Sequence, residues 1–153
     1  MRKYTSELSK KIIERLPYLN NFLFIDDISY VDEDHIIGHY TFTNNAFFYK
    51  AHFKHLPVTP GVILIEMMGQ VGLVAHLVFL QKLHESNKLF HPILSSVESE
   101  FYKEVKVNDP LTIKAKKIYL RRGIIKSKIE LYDSTDTLCA TLIAQLQLII
   151  DEQ

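Results

Sequence analysis

One cysteine among 153 residues leaves Cys139 with no partner for an intramolecular disulfide, which fits a reducing cytosol and a fold held by its core alone. Cys139 is expected to be a small packing residue. Net charge is lacking too: 18 basic residues balance 18 acidic ones, which argues against a general nucleic-acid binder with its basic footprint. The opening MRKYTSELSKK has no apolar core of the kind a secretory signal needs. No repeat, low-complexity tract or linker interrupts the chain. One soluble, cytoplasmic domain over residues 1–153 is expected, large enough to bury about 70% of the surface its unfolded form exposes.

What the chain does have is periodicity. Leu8, Ile12, Ile13 and Leu16 form one face of a short helix that ends near Pro17. In residues 138 to 150 every even position is apolar while Gln145 and Gln147 point the other way, the clearest strand in the chain. Ile125, Ile129 and Leu131 alternate with Lys126, Lys128 and Glu130, Leu111, Ile113 and Ala115 alternate with Thr112, Lys114 and Lys116, and Arg122-Gly123 marks a hairpin turn between the two runs. Strands over residues 22–30, 35–43 and 93–101 complete a sheet. Val62 to Leu83 reads as one helix whose length and content approach those of a membrane span. Glu66, Gln70 and His76 within it argue instead for a central buried helix wrapped by strands, with no membrane insertion. The fold class is therefore α+β, a curved antiparallel β-sheet around one long α-helix.

The stretch AHFKHLPVTPGVILIEMMGQ, residues 51 to 70, carries the reactive groups. Thr59 is a good N-cap, and Pro60 suits the first helical position because its missing N–H would be an orphan there anyway. Gly61 then sits in the first turn, its N–H without an intrahelical partner and at the positive end of the macrodipole, a place for a developing oxyanion. If Thr59 caps, its hydroxyl is expected to take the Val62 N–H and leave that of Gly61 free. Glu66 lies among Ile63, Leu64, Ile65, Met67 and Met68, where an ionised carboxylate is costly; its pKa should rise, which suits a general acid. His52 has the one side chain whose unperturbed pKa provides a neutral base near physiological pH. Gln70, one turn beyond Glu66, is placed to orient that carboxyl.

Plainer readings stand beside these. A buried arginine would explain Glu66, solvent would explain His52, and core or interface hydrogen bonds would explain Gln70. His52, His55 and Glu66 can be drawn as a metal site, but a second ligand pair is missing and no helix carries both histidines, so no metal is expected.

The same segment resembles the signature of the FabZ/FabA-type 3-hydroxyacyl-ACP dehydratases, a hotdog-fold family whose pattern is roughly G-H-F-P-x-x-P-x-x-P-G-V-x-x-x-E-A-x-x-Q. Here it reads Ala51-His52-Phe53-Lys54, then Pro57, Pro60-Gly61-Val62, Glu66 and Gln70, and the interval from His52 to Glu66 (66 − 52 = 14) matches. Glutamate at 66 is similar to the FabZ branch. Two further blocks, IIERLPYLNNFLFIDDI and SSVESEFYKEVKVNDPL, are similar to family blocks and occur in the family's order. Departures are Ala51 for glycine, Lys54 and Asn21 for prolines, Tyr18 for an early histidine, and Glu100 and Glu104 for a basic residue and a proline. They fall where the mouth of a site and its loops would be.

The resemblance implies reversible dehydration of a (3R)-hydroxyacyl thioester to the trans-2-enoyl thioester, in fatty-acid or related carrier-bound synthesis such as that of polyene pigments. His52 would remove the C2 proton, the Gly61 N–H would stabilise charge on the thioester carbonyl, and Glu66 would protonate the departing 3-hydroxyl. It implies no organic cofactor. It implies a homodimer, or a trimer of dimers, in which His52 of one chain meets Glu66 of the other. Phe53, Val62, Met67 and Phe101 are candidates to line an acyl tunnel; Lys50, Lys54, Lys103, Arg121 and Arg122 are candidates to steer an acidic acyl carrier protein. A hotdog thioesterase and a catalytically silent subunit of a heteromeric dehydratase are the alternatives.

Overall fold

A helix that is apolar nearly all round needs cover on nearly every side, and an antiparallel sheet supplies it here. The computed structural model describes residues 2–51 and 58–151. Helix α1 (Arg2–Glu14) leads into strands β1 (Asp27–Val31) and β2 (His35–Tyr40), a short helix α2 (Phe47–Ala51) and the central helix α3 (Gly61–Leu80). Strands β3 (Phe90–Phe101), β4 (Leu111–Arg121), β5 (Ile124–Tyr132) and β6 (Leu138–Ile150) follow. All neighbours are antiparallel, in the order β1-β2-β4-β5-β6-β3. This is the hotdog arrangement expected from the alternating strands. α3 passes the length and hydropathy test for a membrane span, yet 67% of that window is buried inside the protomer, so the sheet already occupies the surface that lipid would need.

The period-two pattern of β6 is realised: Ala140, Leu142, Ala144, Leu146 and Leu148 are buried against the helix, and Cys139 packs within the core. Arg122 and Gly123 both have positive φ, 53° and 76°, which joins β4 to β5 by a tight turn whose twist matches the strands. In β3 a bulge lies between Leu94 and Ser96. It re-aims the chain so that Leu94 and Val97, an odd number of residues apart, line one cavity.

Several expected boundaries shift. No strand runs through residues 22–26: the chain makes a 3₁₀ turn at Asn20–Phe22, and β1 begins only at Asp27. The reason is a side chain, since Phe24 N–H donates to Gln70 Oε1 and Phe22 C=O accepts from Gln70 Nε2, both at 2.8 Å. That backbone is satisfied by an amide instead of a neighbouring strand. α3 ends at Leu80 instead of Leu83, because Gln81 leaves helical geometry and Lys82 turns left-handed with φ 55°. Within it, Gln70–Ala75 forms a π-helical segment that begins one turn beyond Glu66. Such widened turns often mark functional sites.

At Gly72 the helix and the sheet approach closely. A Cβ there would lie 2.5 Å from Ile129 Cδ1, 2.6 Å from Ile129 Cγ1 and 3.0 Å from Ala115 Cβ. Ile129 is fully buried, so its side chain cannot swing into solvent. Overpacking of this kind costs about 1–3 kcal/mol, which outweighs the roughly 0.8–1 kcal/mol that alanine contributes to a helix interior. A lower urea midpoint is expected for Gly72→Ala, with a smaller loss when Ile129→Val removes the clashing Cδ1; strictly additive losses would place the strain elsewhere.

His76 is buried, donating from Nε2 to the Asp32 carbonyl at 2.9 Å, while Nδ1 has no partner among the described residues. Burial pushes the imidazole below its ordinary 6.5, only partly opposed by the Asp32 carbonyl. The folded protein thus binds this proton less well than the unfolded chain. The stability from neutral His76 is complete above about pH 6.5 and is lost below it, with a slope of up to about 1.4 kcal/mol per pH unit. Urea titrations between pH 7 and pH 5 are expected to show that loss, and His76→Gln to flatten it; an equal slope in the variant would assign the effect to other groups.

Candidate active site

The start of α3 differs by one position from the expected capping. Pro60, with extended φ −61° and ψ 140°, is the N-cap, and its carbonyl accepts from Ile63 N–H at 3.0 Å and Leu64 N–H at 3.2 Å. Thr59 does not cap. Its hydroxyl donates to the Val105 carbonyl at 3.0 Å and accepts from the Tyr49 hydroxyl at 2.6 Å, anchoring the turn from the rear. The N–H groups of Gly61 and Val62 are therefore left without an acceptor among the described residues, at the positive end of the longest helix in the protein. Gly61 has a second use: a Cβ there would lie 3.0–3.4 Å from the Phe101 ring. Its lack of a side chain lets that ring cover the helix start while the amide stays open.

Two turns on, Glu66 is half-buried, because its carboxyl opens onto a cavity and not into the core. Gln70 Nε2 donates to Glu66 Oε1 at 3.0 Å. The orientation of that amide follows from its other partners, since Phe24 N–H can only donate and Phe22 C=O can only accept. Oε1 of Glu66 is thereby fixed as an acceptor. When the carboxyl is protonated, the proton belongs on Oε2, which has no partner among the described residues. Gln70 is itself 1% exposed and fully satisfied, so the orienting role and the core role considered for it are the same set of bonds.

The cavity beside Glu66 has a volume of about 160 Å³. Its helix wall is Ile65, Glu66, Gly69, Gln70, Leu73 and Val74; its sheet wall is Pro92, Leu94 and Val97 from β3 with Leu142, Ala144 and Leu146 from β6; Tyr18 closes it. Met67 does not line it, being turned into the core and fully buried one position along the helix. Val62 is 72% exposed and lines neither this cavity nor the depression before the helix start. Phe101 lines that depression, with Gly61, Thr59 and Lys103, and not the cavity. Tyr18 escaped the sequence reading except as a departure from the family block, and that departure was the available signal. Burial first, and the Glu66 charge second, push its phenol well above the ordinary range. A larger open groove of about 870 Å³ lies under Phe79, Leu80 and His84, about 20 Å along the helix from Glu66, and shares no residue with the site. His52, Phe53, Lys54 and His55 lie outside the described residues.

Residues 16–141 match the FabA-like domain family. The chain belongs to that family. Among its relatives, the FabZ 3-hydroxyacyl-[acyl-carrier-protein] dehydratase of Caldicellulosiruptor bescii is 38% identical over 120 residues, covering 77% of this chain and 82% of its own. That of Acinetobacter baylyi is 28% identical over 142 residues, covering 92% and 91%. Among solved structures, the dehydratase heterocomplex ApeI:P of Xenorhabdus doucetiae superposes with a TM-score of 0.75 at 14% identity, over 90% of each chain. A hypothetical thioesterase with coenzyme A from Streptococcus pneumoniae reaches 0.60 at 12% identity, over 83% of this chain and 88% of that one. These two likenesses show the fold.

The basic residues considered for steering do not share one face of this FabA-like protomer. Arg121 and Arg122 sit at the β4–β5 turn, where Gln81 approaches Gly123, so they lie at the far end of α3, about 30 Å from Gly61. Arg121 stacks its guanidinium 4.6 Å over the Tyr119 ring. Lys103 borders the depression before Gly61 but is bound to Asp133 at 2.5 Å, and that ion pair holds the Asp133 carboxyl below its usual range. Lys50 is exposed on the last turn of α2, two residues before His52.

Proposed function

We propose that this protein is a (3R)-3-hydroxyacyl-[acyl-carrier-protein] dehydratase, a hydro-lyase that reversibly eliminates water from the carrier-bound thioester to give the trans-2-enoyl thioester in the cytoplasm. The observation that carries this reading is the Glu66–Gln70 pair: an acid with one oxygen held as acceptor and the other left to a largely apolar cavity. Glu66 Oε2–H protonates the 3-hydroxyl as it leaves, while His52 takes the proton from C2 and the Gly61 N–H receives the charge that develops on the thioester oxygen. The proton balance closes, since one proton leaves C2 and one joins the hydroxyl to make water. No metal or organic cofactor enters these steps. Fatty-acid synthesis is the pathway the curated relatives support, with polyene pigment synthesis as the related carrier-bound route.

The active unit in this reading is a homodimer. Strand β3 is twelve residues long, lies at the sheet edge, and exposes Ile93, Leu94, Val97 and Phe101, each 43–50% accessible. A long apolar edge strand is a surface that pairs. In such a pair, as in the family this chain resembles, His52 of the partner subunit serves the site of Glu66, and three dimers make a hexamer. Among the candidate steering residues, Lys50 and Lys54 stand nearest the active segment in sequence and are the ones assigned to the acyl carrier protein.

A spectroscopic assay with 3-hydroxyacyl and enoyl thioesters tests the reaction. Reversible enoyl absorbance is expected from both directions. Release of free thiol would identify a thioesterase, and no change in either signal would identify a silent subunit.

A further inference from the structure

Tyr18 lines the Glu66 cavity, near enough for the Glu66 charge to act on its phenol, and its hydroxyl makes no hydrogen bond among the described residues. The ring is held firmly. Leu16, two residues earlier, is buried, and Arg15 donates from Nε to the Leu83 carbonyl at 3.0 Å and also to the Lys88 carbonyl, pinning the end of α1 against the far side of the fold. The Tyr18 ring rests against Phe22, with centroids 6.3 Å apart, and Phe22 is tied by its carbonyl to Gln70. One amide therefore positions both polar corners of the cavity. A phenol set among apolar groups favours a hydrogen-bond partner, and the half-buried Tyr18 hydroxyl is available to take one from a group that enters the cavity.

We propose that Tyr18 is a further substrate-contacting residue, whose phenolic O–H donates to the 3-oxygen of the hydroxyacyl group while Glu66 Oε2 delivers the proton to that same oxygen. The inference rests on the dehydratase reading above. A hydroxyl oxygen has two lone pairs, so it can accept from both groups at once. In the hydration direction the same pair holds the attacking water. Burial beside the Glu66 charge keeps the phenol protonated, so Tyr18 is a permanent donor and takes no part in proton transfer. The remaining lining is mostly apolar, and 160 Å³ is close to the roughly 150 Å³ of an apolar cavity that admits benzene, so an acyl chain of about six carbons in all suits the cavity.

The test first establishes that the unmodified protein interconverts 3-hydroxyhexanoyl and hexenoyl thioesters; failure here would sink the dehydratase reading, and the inference with it. Dissociation constants are then measured in a Glu66→Gln background, where turnover is slowed by about 10²- to 10⁴-fold, for (3R)-3-hydroxyhexanoyl and hexanoyl N-acetylcysteamine thioesters. Adding Tyr18→Phe is expected to weaken the hydroxylated ligand by about 3- to 10-fold, one net hydrogen bond, and to leave the hexanoyl ligand unchanged. Equal weakening of both ligands would make Tyr18 a packing residue, and no weakening of either would remove it from the site; each overturns the proposal while leaving the dehydratase reading intact.

Discussion

Replacing Glu66 by glutamine is expected to lower dehydration turnover by about 10²- to 10⁴-fold, the range a positioned general acid contributes. The substitution preserves shape, and the Gln70 Nε2–H can still donate to an amide oxygen at the Oε1 position, so the fold should be retained. What is lost is the proton. A fall of less than about 10-fold would assign the acid role to another group.

A comparable loss is expected for His52→Ala, and the two single variants together make a sharper prediction. If each site takes its base from one chain and its acid from the other, His52→Ala and Glu66→Ala homodimers are both nearly inactive. Exchange of subunits between them makes crossed dimers with one intact site and one doubly damaged site. Random exchange of equal amounts should restore about a quarter of the unmodified activity, because half the dimers are crossed and half of their sites are whole. Mass spectrometry under native conditions verifies exchange. No recovery despite exchange would place both groups of a site within one chain.

The elements legible in the sequence were those whose burial follows a simple period. The alternation from Leu138 to Ile150 and the Arg122-Gly123 turn map directly onto β6 and the β4–β5 hairpin. Where a side chain substitutes for backbone pairing, periodicity misleads: residues 22–26 look like strand, yet Gln70 holds Phe22 and Phe24 in place of a neighbour. The Thr59 hydroxyl was equally ambiguous, because capping and tertiary bonding demand the same residue type, and only the placement of Val105 and Tyr49 decides between them. At the candidate site, Glu66, Gln70 and Gly61 were identifiable from spacing and resemblance. The cavity walls on β3 and β6 were not, since the bulge at Ser95 breaks the alternation that would reveal which side of β3 faces the helix. Nor was the separation of Met67 from the cavity, because in an all-round apolar helix hydropathy does not mark the face that meets a ligand.

The most direct measurement is a crystal structure of the assembled protein with a bound 3-hydroxyacyl or enoyl thioester analogue. The thioester oxygen is expected within hydrogen-bond distance of Gly61 N–H, the 3-oxygen beside Glu66 Oε2, and an imidazole from His52 of the partner subunit above C2. An analogue seated elsewhere, or His52 and Glu66 in separate cavities that no subunit arrangement reunites, would contradict the account.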